Sequence, residues 1–176
     1  MAKKVIRCTL SPDSIDKAIA ELERYKNDLK RKCNTLARRL AEMGALKASM
    51  IYSTAVYDGT NDITISVVRR GKGYVIKANG QSVLFVEFGA GVTYGYGHPM
   101  ASELGYGAGT YPGKGHWNNP QGWWYPTDNA GDSVKVSKKS GQAYAHTYGN
   151  PPNMAMYNTA KDLRDEIERV AREVFT

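Results

Sequence analysis

One residue pattern constrains this chain more than any other. From Ile15 the residues Ile19, Leu22, Leu29, Cys33, Leu36, Leu40 and Met43 recur at alternating steps of four and three, with a single gap at Lys26. An average step of about 3.5 residues is the spacing of a helix seam laid against another helix. Ahead of the seam, Ser11-Pro12-Asp13 is a helix start: a hydroxyl cap, proline at the first helical position, then an acid near the positive dipole end. Few helices this long bury their whole length in a small domain, so part of this one is expected to protrude or to lie between subunits. Gly44 is expected to interrupt it, with "ALKASMIYSTAVY" continuing as a shorter helix toward Asp58-Gly59.

Beyond Gly59 the period changes. "DITISVVRR" sets Ile63, Ile65 and Val67 against Thr64, Ser66 and Val68, and "GYVIKANG" and "SVLFVEFG" follow as further strand candidates. Gly71-Lys72-Gly73 and Asn79-Gly80 carry hairpin-turn chemistry, so the pattern predicts a three-strand antiparallel meander over residues 60–88. "SVKVSKKSGQAYAHTYG" predicts one or two returning strands. Near the end Met156, Ala160, Leu163, Ile167, Val170 and Val174 again step by four and three, while "PPN" (151–153) blocks the helix upstream and offers Asn153 as its cap. The expected fold class is α+β: an antiparallel sheet of about four strands, flanked by a long N-terminal helix and a C-terminal amphipathic helix. A length of 176 residues suits a single domain over 1–176, with a helical part (1–58), the meander (60–88), an insertion loop (89–133), then returning strands and the last helix (134–176).

Between Gly89 and about Asp132 neither period persists. This Gly/Trp/Tyr-rich stretch is poor in charge and holds all three tryptophans. A structureless insertion of such length points to function, and its aromatic side chains point to order on contact. The formal charge of +7 is concentrated in "KNDLKRKCNTLARR" (26–39). There Lys30, Arg31, Lys32, Arg38 and Arg39 form either a solvated helix face or a candidate DNA-facing surface. No apolar run of signal-peptide length follows the basic first residues, and none reaches the ~18 residues of a membrane span. The expectation is therefore a protein of the cytoplasmic side with no membrane partner, in which Cys8 and Cys33 are reduced thiols.

Candidate chemistry is sparse. Gly89-Ala90-Gly91-Val92-Thr93-Tyr94 starts like a dinucleotide fingerprint, but Tyr94 stands at the third glycine's position and no helix follows to hold a pyrophosphate. His98, His116 and His146 have no partner histidine at i+4 and no Cys-x-x-Cys neighbour, so a metal site would need assembly from distant pieces and none is expected. Cys8 or Cys33 with one of these histidines would make a nucleophile and base, yet both cysteines lie near or within the basic helix. Glu87, between Val86 and Phe88, is either a general acid or a structural acceptor, capping N–H groups of the following glycine turn or pairing with a basic helix residue. Gly89 marks where the chain leaves the strand at backbone angles that other residues resist. "GWWYP" is the loop's own small core, an interface anchor, or a stacking platform for sugars or bases.

These segments also carry a resemblance. "VYDGTNDITISVV", "GYVIKANGQSVLFVEFGAGV", "GWWYP" and "HTYGNPPNMAMYNTAKDLRDEIERVAREVF", in this order from about residue 45 to the end, resemble the HK97-type "gene product ten" family. These are neck, tail-completion or minor tail proteins of tailed phages, also present in prophages and phage-tail-like particles. The two anchors are "VEFG" and the "G-x-P…M-Y-N-T-A" approach to the last helix; where the family often has Pro-Phe before the helical Met, this chain has Met154-Ala155. The resemblance implies a structural virion protein, not an enzyme and without a cofactor, assembled in the host bacterial cytoplasm and located at the neck or top of the tail. It implies a ring of copies of the chain, for which six-fold symmetry is the expectation, joining head to tail. The ring would lie next to the tail terminator and head-completion proteins and touch DNA only non-specifically. Tyr94, Tyr96, Tyr111, Trp117, Trp123, Trp124 and Tyr125 are then the expected assembly interface, and alanine at both Trp123 and Trp124 is expected to leave the monomer folded. The alternative is a carbohydrate- or nucleic-acid-binding module using the aromatic loop and the basic helix.

Overall fold

The helix that starts at Ser11-Pro12 is a single element, α1, Pro12–Ser53. It belongs to a computed structural model that describes residues 5–57, 59–91, 93–94, 97–106, 119–128 and 134–176. The start lies where expected, with the Ser11 carbonyl accepting the N–H groups of Ser14 and Ile15 at 3.1 Å each, but the expected hydroxyl cap is not made: the Ser11 hydroxyl meets that of Thr9 at 3.2 Å. The expected break at Gly44 does not occur. One glycine costs a helix only about 1 kcal/mol against alanine, and 42 residues of uninterrupted bonding outweigh it. At its far end the last carbonyls are taken up: Ile51 accepts from the Thr54 N–H and Tyr52 from the Ala55 N–H, both at 3.2 Å. Asn61 Nδ2 adds a bond to the Tyr52 carbonyl at 2.8 Å.

β1 (Thr64–Arg70) and β2 (Gly73–Asn79) form a two-stranded hairpin. The third strand of the expected meander is instead a short helix, α2 (Val83–Phe88). A brief apolar run has no period that separates a strand from a buried helix. Here the turn before it decides. The Asp62 carboxylate receives the Gln81 N–H (2.6 Å), the Ser82 N–H (3.0 Å) and the Ser82 hydroxyl (2.5 Å), folding the chain away from β2. The Val86 N–H then bonds to the Ser82 carbonyl at 2.9 Å.

β3 (Trp123–Pro126), β4 (Val134–Val136) and β5 (Ala143–Thr147) make a three-stranded antiparallel sheet in the order β3-β5-β4, and α3 (Ala155–Phe175) closes the chain. The fold is α+β. In place of one sheet of about four strands, the described residues form separate sheets of two and three. "GWWYP", expected in a loop, supplies strand β3.

The chain divides into two compact units. One comprises α1 up to Ala45, Val67–Lys77 and Ala160–Thr176. Within it Arg39 pairs with Glu173 at 3.7 Å, the Tyr74 hydroxyl meets Asn34 Oδ1 at 3.3 Å, and Val170 is buried. The other comprises Leu46–Ser66 and Ala78–Thr159. Its core is Tyr52, Val86 and Ala155, packed by Ile51, Ile63, Ile65 and Met156, with a second cluster around Phe88 and Ala101. Among the described residues no helix is long and apolar enough to cross a membrane.

Candidate functional site

The second unit is organised around one carboxylate. Glu87 is buried in α2 between Val86 and Phe88. Its Oε2 accepts the Tyr52 hydroxyl at 2.8 Å and the Met156 N–H at 3.0 Å. Its Oε1 accepts the Tyr157 N–H at 3.0 Å and faces His98 Nε2 at 3.4 Å. The Met100 N–H donates to His98 Nδ1 at 3.1 Å, which leaves the ring proton on Nε2, directed at Glu87. Four donors thus converge on the two oxygens. Two of them are first-turn N–H groups of α3, which lack intrahelical partners and favour negative charge. Glu87 is therefore a remote cap for α3. Burial, and then the Glu87 charge, push the Tyr52 phenol above its usual range, so it stays a donor.

The bonds make Glu87 an acceptor, with partners other than those expected. The residue lies on a helix, not a strand, and the groups it caps belong to α3, not to the glycine turn. Asn153 is not the cap: its Nδ2 bonds to the Ile51 carbonyl at 3.4 Å. Met154, at φ 56°, precedes the helix, and its carbonyl accepts the Asn158 N–H at 2.9 Å. The approach to α3 is held by the backbone of α2 as well. Val86 accepts the Asn153 N–H (2.9 Å), Glu87 the Met154 N–H (3.1 Å), and Phe85 the Asn150 side-chain amide (2.9 Å). Ala90 and Asn150 exchange N–H···O=C bonds at 3.0 Å. The chains cross so closely that a Cβ on Gly89 would sit 2.8 Å from Pro152 N, and one on Gly149 only 1.9 Å from the Ala90 oxygen. Both glycines also have positive φ, 79° and 100°.

An exposed feature of this unit is one face of the β3-β5-β4 sheet. Register pairs Trp124 with His146, Pro126 with Tyr144, and Lys135 with Tyr144, and directly paired residues share a face. Trp124 and His146 meet edge-on at 5.0 Å, and His146 meets Tyr148 edge-on at 4.9 Å. Lys135 Nζ stands 4.4 Å over the Trp124 ring. His146 Nε2 donates to the Gln121 carbonyl at 2.9 Å, which fixes its ring. The rear face holds Trp123 and Thr147, both buried. The result is an aromatic strip with Trp124 and Tyr148 about half exposed and a cation on its rim. Such a strip can dock an apolar or planar partner.

The adjacent tryptophans therefore have different places: Trp124 faces outward and Trp123 belongs to the chain's own packing. Tyr94 is exposed and Tyr125 half-buried. Tyr96, Tyr111, Trp117 and His116 lie outside the described residues. Tyr144, His146, Tyr148 and Lys135 were not singled out as a surface, although Tyr-x-His-x-Tyr at a period of two signals one strand face. His98 and His146 stand apart, one in the buried node and one on the strip. Among the described residues no three His, Cys, Asp or Glu side chains are grouped to hold a metal ion, and Cys8 and Cys33 are exposed thiols.

The basic segment of α1 is largely paired within the chain. Arg31 and Lys32 lean on Asp28 at 2.5 and 4.0 Å, Arg38 on Glu42 at 3.9 Å and Arg39 on Glu173 at 3.7 Å, while Lys30 is exposed. The Arg31 hydrogen bond, followed by the charges of Arg31 and Lys32, holds the Asp28 carboxyl below its usual range. Comparison of the chain with protein-family models, with curated proteins and with solved structures finds no match.

Proposed function

We propose that this protein is a structural component of a tailed phage or phage-tail-like particle, acting at the neck in tail completion or head-tail joining. It works there as a ring of copies beside the tail terminator, and its location is the virion. The observation that carries this reading is the meeting of the two segments on which the resemblance rests. "VEFG" supplies the carboxylate, and "GNPPNMAMYNTA" supplies the helix start that it caps. A motif pair joined by a buried, fully bonded carboxylate serves architecture. With its two oxygens occupied by four donors, Glu87 has no lone pair directed at a substrate. The aromatic strip of Trp124, His146 and Tyr148 provides a surface on which a neighbouring subunit or neck protein docks.

The test is deletion of the gene in its source phage or prophage, with the induced lysate viewed by negative-stain electron microscopy. Separate filled heads and tails, or tails with abnormal upper ends, are expected. Intact infectious particles would overturn the reading. The strip also suits base or sugar stacking, so a carbohydrate- or nucleic-acid-binding module is the second reading. Titration with single-stranded DNA and simple glycans at two salt concentrations separates the two. Tight saturable binding favours the module, whereas weak binding erased by salt fits a neck protein whose basic residues already lean on its own acids.

A further inference from the structure

The first unit leaves an apolar seam uncovered. Ile15, Ile19, Leu22 and Leu29 are 39–54% exposed, Tyr25 beside them is half exposed, and Cys33 is exposed. The same seam is half-buried from Leu36 onward, where Arg39 and Asn34 already meet α3 and β2. The free portion therefore runs from Ile15 to Cys33, about five turns of α1, at the 3.5-residue spacing that closes only against another helix.

We propose that this portion of α1 pairs antiparallel with the same portion of a second copy of the chain. Charge selects both the occupant and its direction. Residues 13–24 hold four acids (Asp13, Asp16, Glu21, Glu23) against two bases (Lys17, Arg24). Residues 26–33, the basic half of that portion, hold four bases (Lys26, Lys30, Arg31, Lys32) against one acid, Asp28. A parallel pair would stack basic half on basic half and set Lys26 against its own copy inside the seam. An antiparallel pair lays the acidic half of each helix along the basic half of the other. Full overlap of the exposed seam centres the two-fold axis near Arg24. Ile15 then shares a layer with Cys33 of the second copy, Ile19 with Leu29, and Leu22 with Lys26, while Asp16 falls beside Lys30. The gap at Lys26 thus becomes a register device: its stem covers Leu22 and its ammonium emerges next to Glu23. Such a pairing is isologous, so it is distinct from the head-to-tail contacts of a ring and does not depend on the neck reading.

The experiment uses the full chain in sedimentation-velocity and cross-linking measurements. The wild-type chain is expected to dimerise below ~100 μM in low salt and to dissociate more readily in 1 M NaCl, because opposite charges are being screened. Leu22→Asp, at a position more than half exposed, should keep the helical circular dichroism of the wild type and weaken the dimer by at least about 100-fold. In a Cys8→Ser background, I15C should oxidise to a dimer whose digest links the position-15 peptide to the peptide containing Cys33. A chain that stays monomeric throughout overturns the proposal. So does a dimer that Leu22→Asp leaves intact, or a digest containing only Cys33–Cys33 links, which reports parallel pairing.

Discussion

Glu87→Gln tests the central piece of this fold. The amide is nearly isosteric with the carboxylate, so packing around Val86 and Phe88 is kept. The change is in hydrogen bonding: one oxygen becomes an NH2 that faces two donors. Whichever way the amide turns, it confronts either the Tyr52 hydroxyl and the Met156 N–H or the Tyr157 N–H and His98 Nε2. Turned toward Tyr52, the hydroxyl can rotate and accept, leaving one backbone N–H orphaned; turned toward His98, one backbone N–H and a ring N–H both lose their acceptor. Each lost charge-assisted bond is worth about 1.5–3 kcal/mol, and each orphaned buried donor carries a similar penalty. The expected destabilisation is about 3–5 kcal/mol, a large part of the 5–15 kcal/mol typical of a domain. Urea unfolding followed by tryptophan fluorescence measures it, since Trp123 is buried in the same unit. Tyr52→Phe removes one donor and leaves the others, so it should cost only about 1–2 kcal/mol. A loss below about 1 kcal/mol for Glu87→Gln, or a larger loss for Tyr52→Phe, would refute the argument that the carboxylate caps α3.

Three further outcomes follow from the same geometry. Trp123→Ala should cost about 3–5 kcal/mol in urea unfolding because the ring is buried, whereas Trp124→Ala, which forfeits one exposed cation–π contact with Lys135, should cost no more than about 1 kcal/mol. Gly149→Ala should cost about 2–4 kcal/mol and separate Ala90 from Asn150, while Gly141→Ala, also at positive φ but in open space, should cost about 1 kcal/mol; paired thermal melts show the difference. The Ser82 hydroxyl, then the Gln81 and Ser82 N–H groups, lower the Asp62 carboxyl to about 2. A folded value below the unfolded one adds stability above pH ~4 that is lost as pH falls toward 2; solvent screening limits it to about 1 kcal/mol, and Asp62→Asn should abolish that part of the pH dependence in acid titrations of stability.

The parts of this fold that were legible in the sequence are those whose signal is local. Ser11-Pro12-Asp13 and the four-three seam mark α1, and the stripe from Met156 to Val174 marks α3, because a helix face repeats within a few residues. Hairpin β1-β2 is equally local, announced by Gly71 and by the alternation of Ile63, Ile65 and Val67. α2 was misread because Val83, Phe85 and Val86 suit a strand by propensity, and the Asp62 bonds that turn the chain into a helix come from about 20 residues upstream. Gly44 was misread in the opposite sense: a strong local breaker is overruled by the helix on both sides of it. The cap on α3 could not be read at all, since Glu87 and Met156 are 69 positions apart.

That separation bears on function. The proposed neck role rests on two short motifs that look unrelated along the chain, one apolar with a single acid, the other rich in Pro and Asn. Physically they are one device. The acid needs donors to be tolerated in a core with Tyr52 and Val86, and the helix after Asn153-Met154 needs an acceptor because Asn153 turns its amide to Ile51. Each motif answers the other's unsatisfied polar groups, so a change in either is expected to demand a change in its partner. The exposed strip is free of that constraint. Among the described residues the side chains of Trp124 and Tyr148 make no bond on which α3 or α2 depends, so their substitution can alter the proposed docking while the buried node continues to hold the fold. Stability and the proposed docking are therefore separable in the second unit, and a variant such as Trp124→Ala that assembles normally would remove the strip from the proposal without touching the account of Glu87.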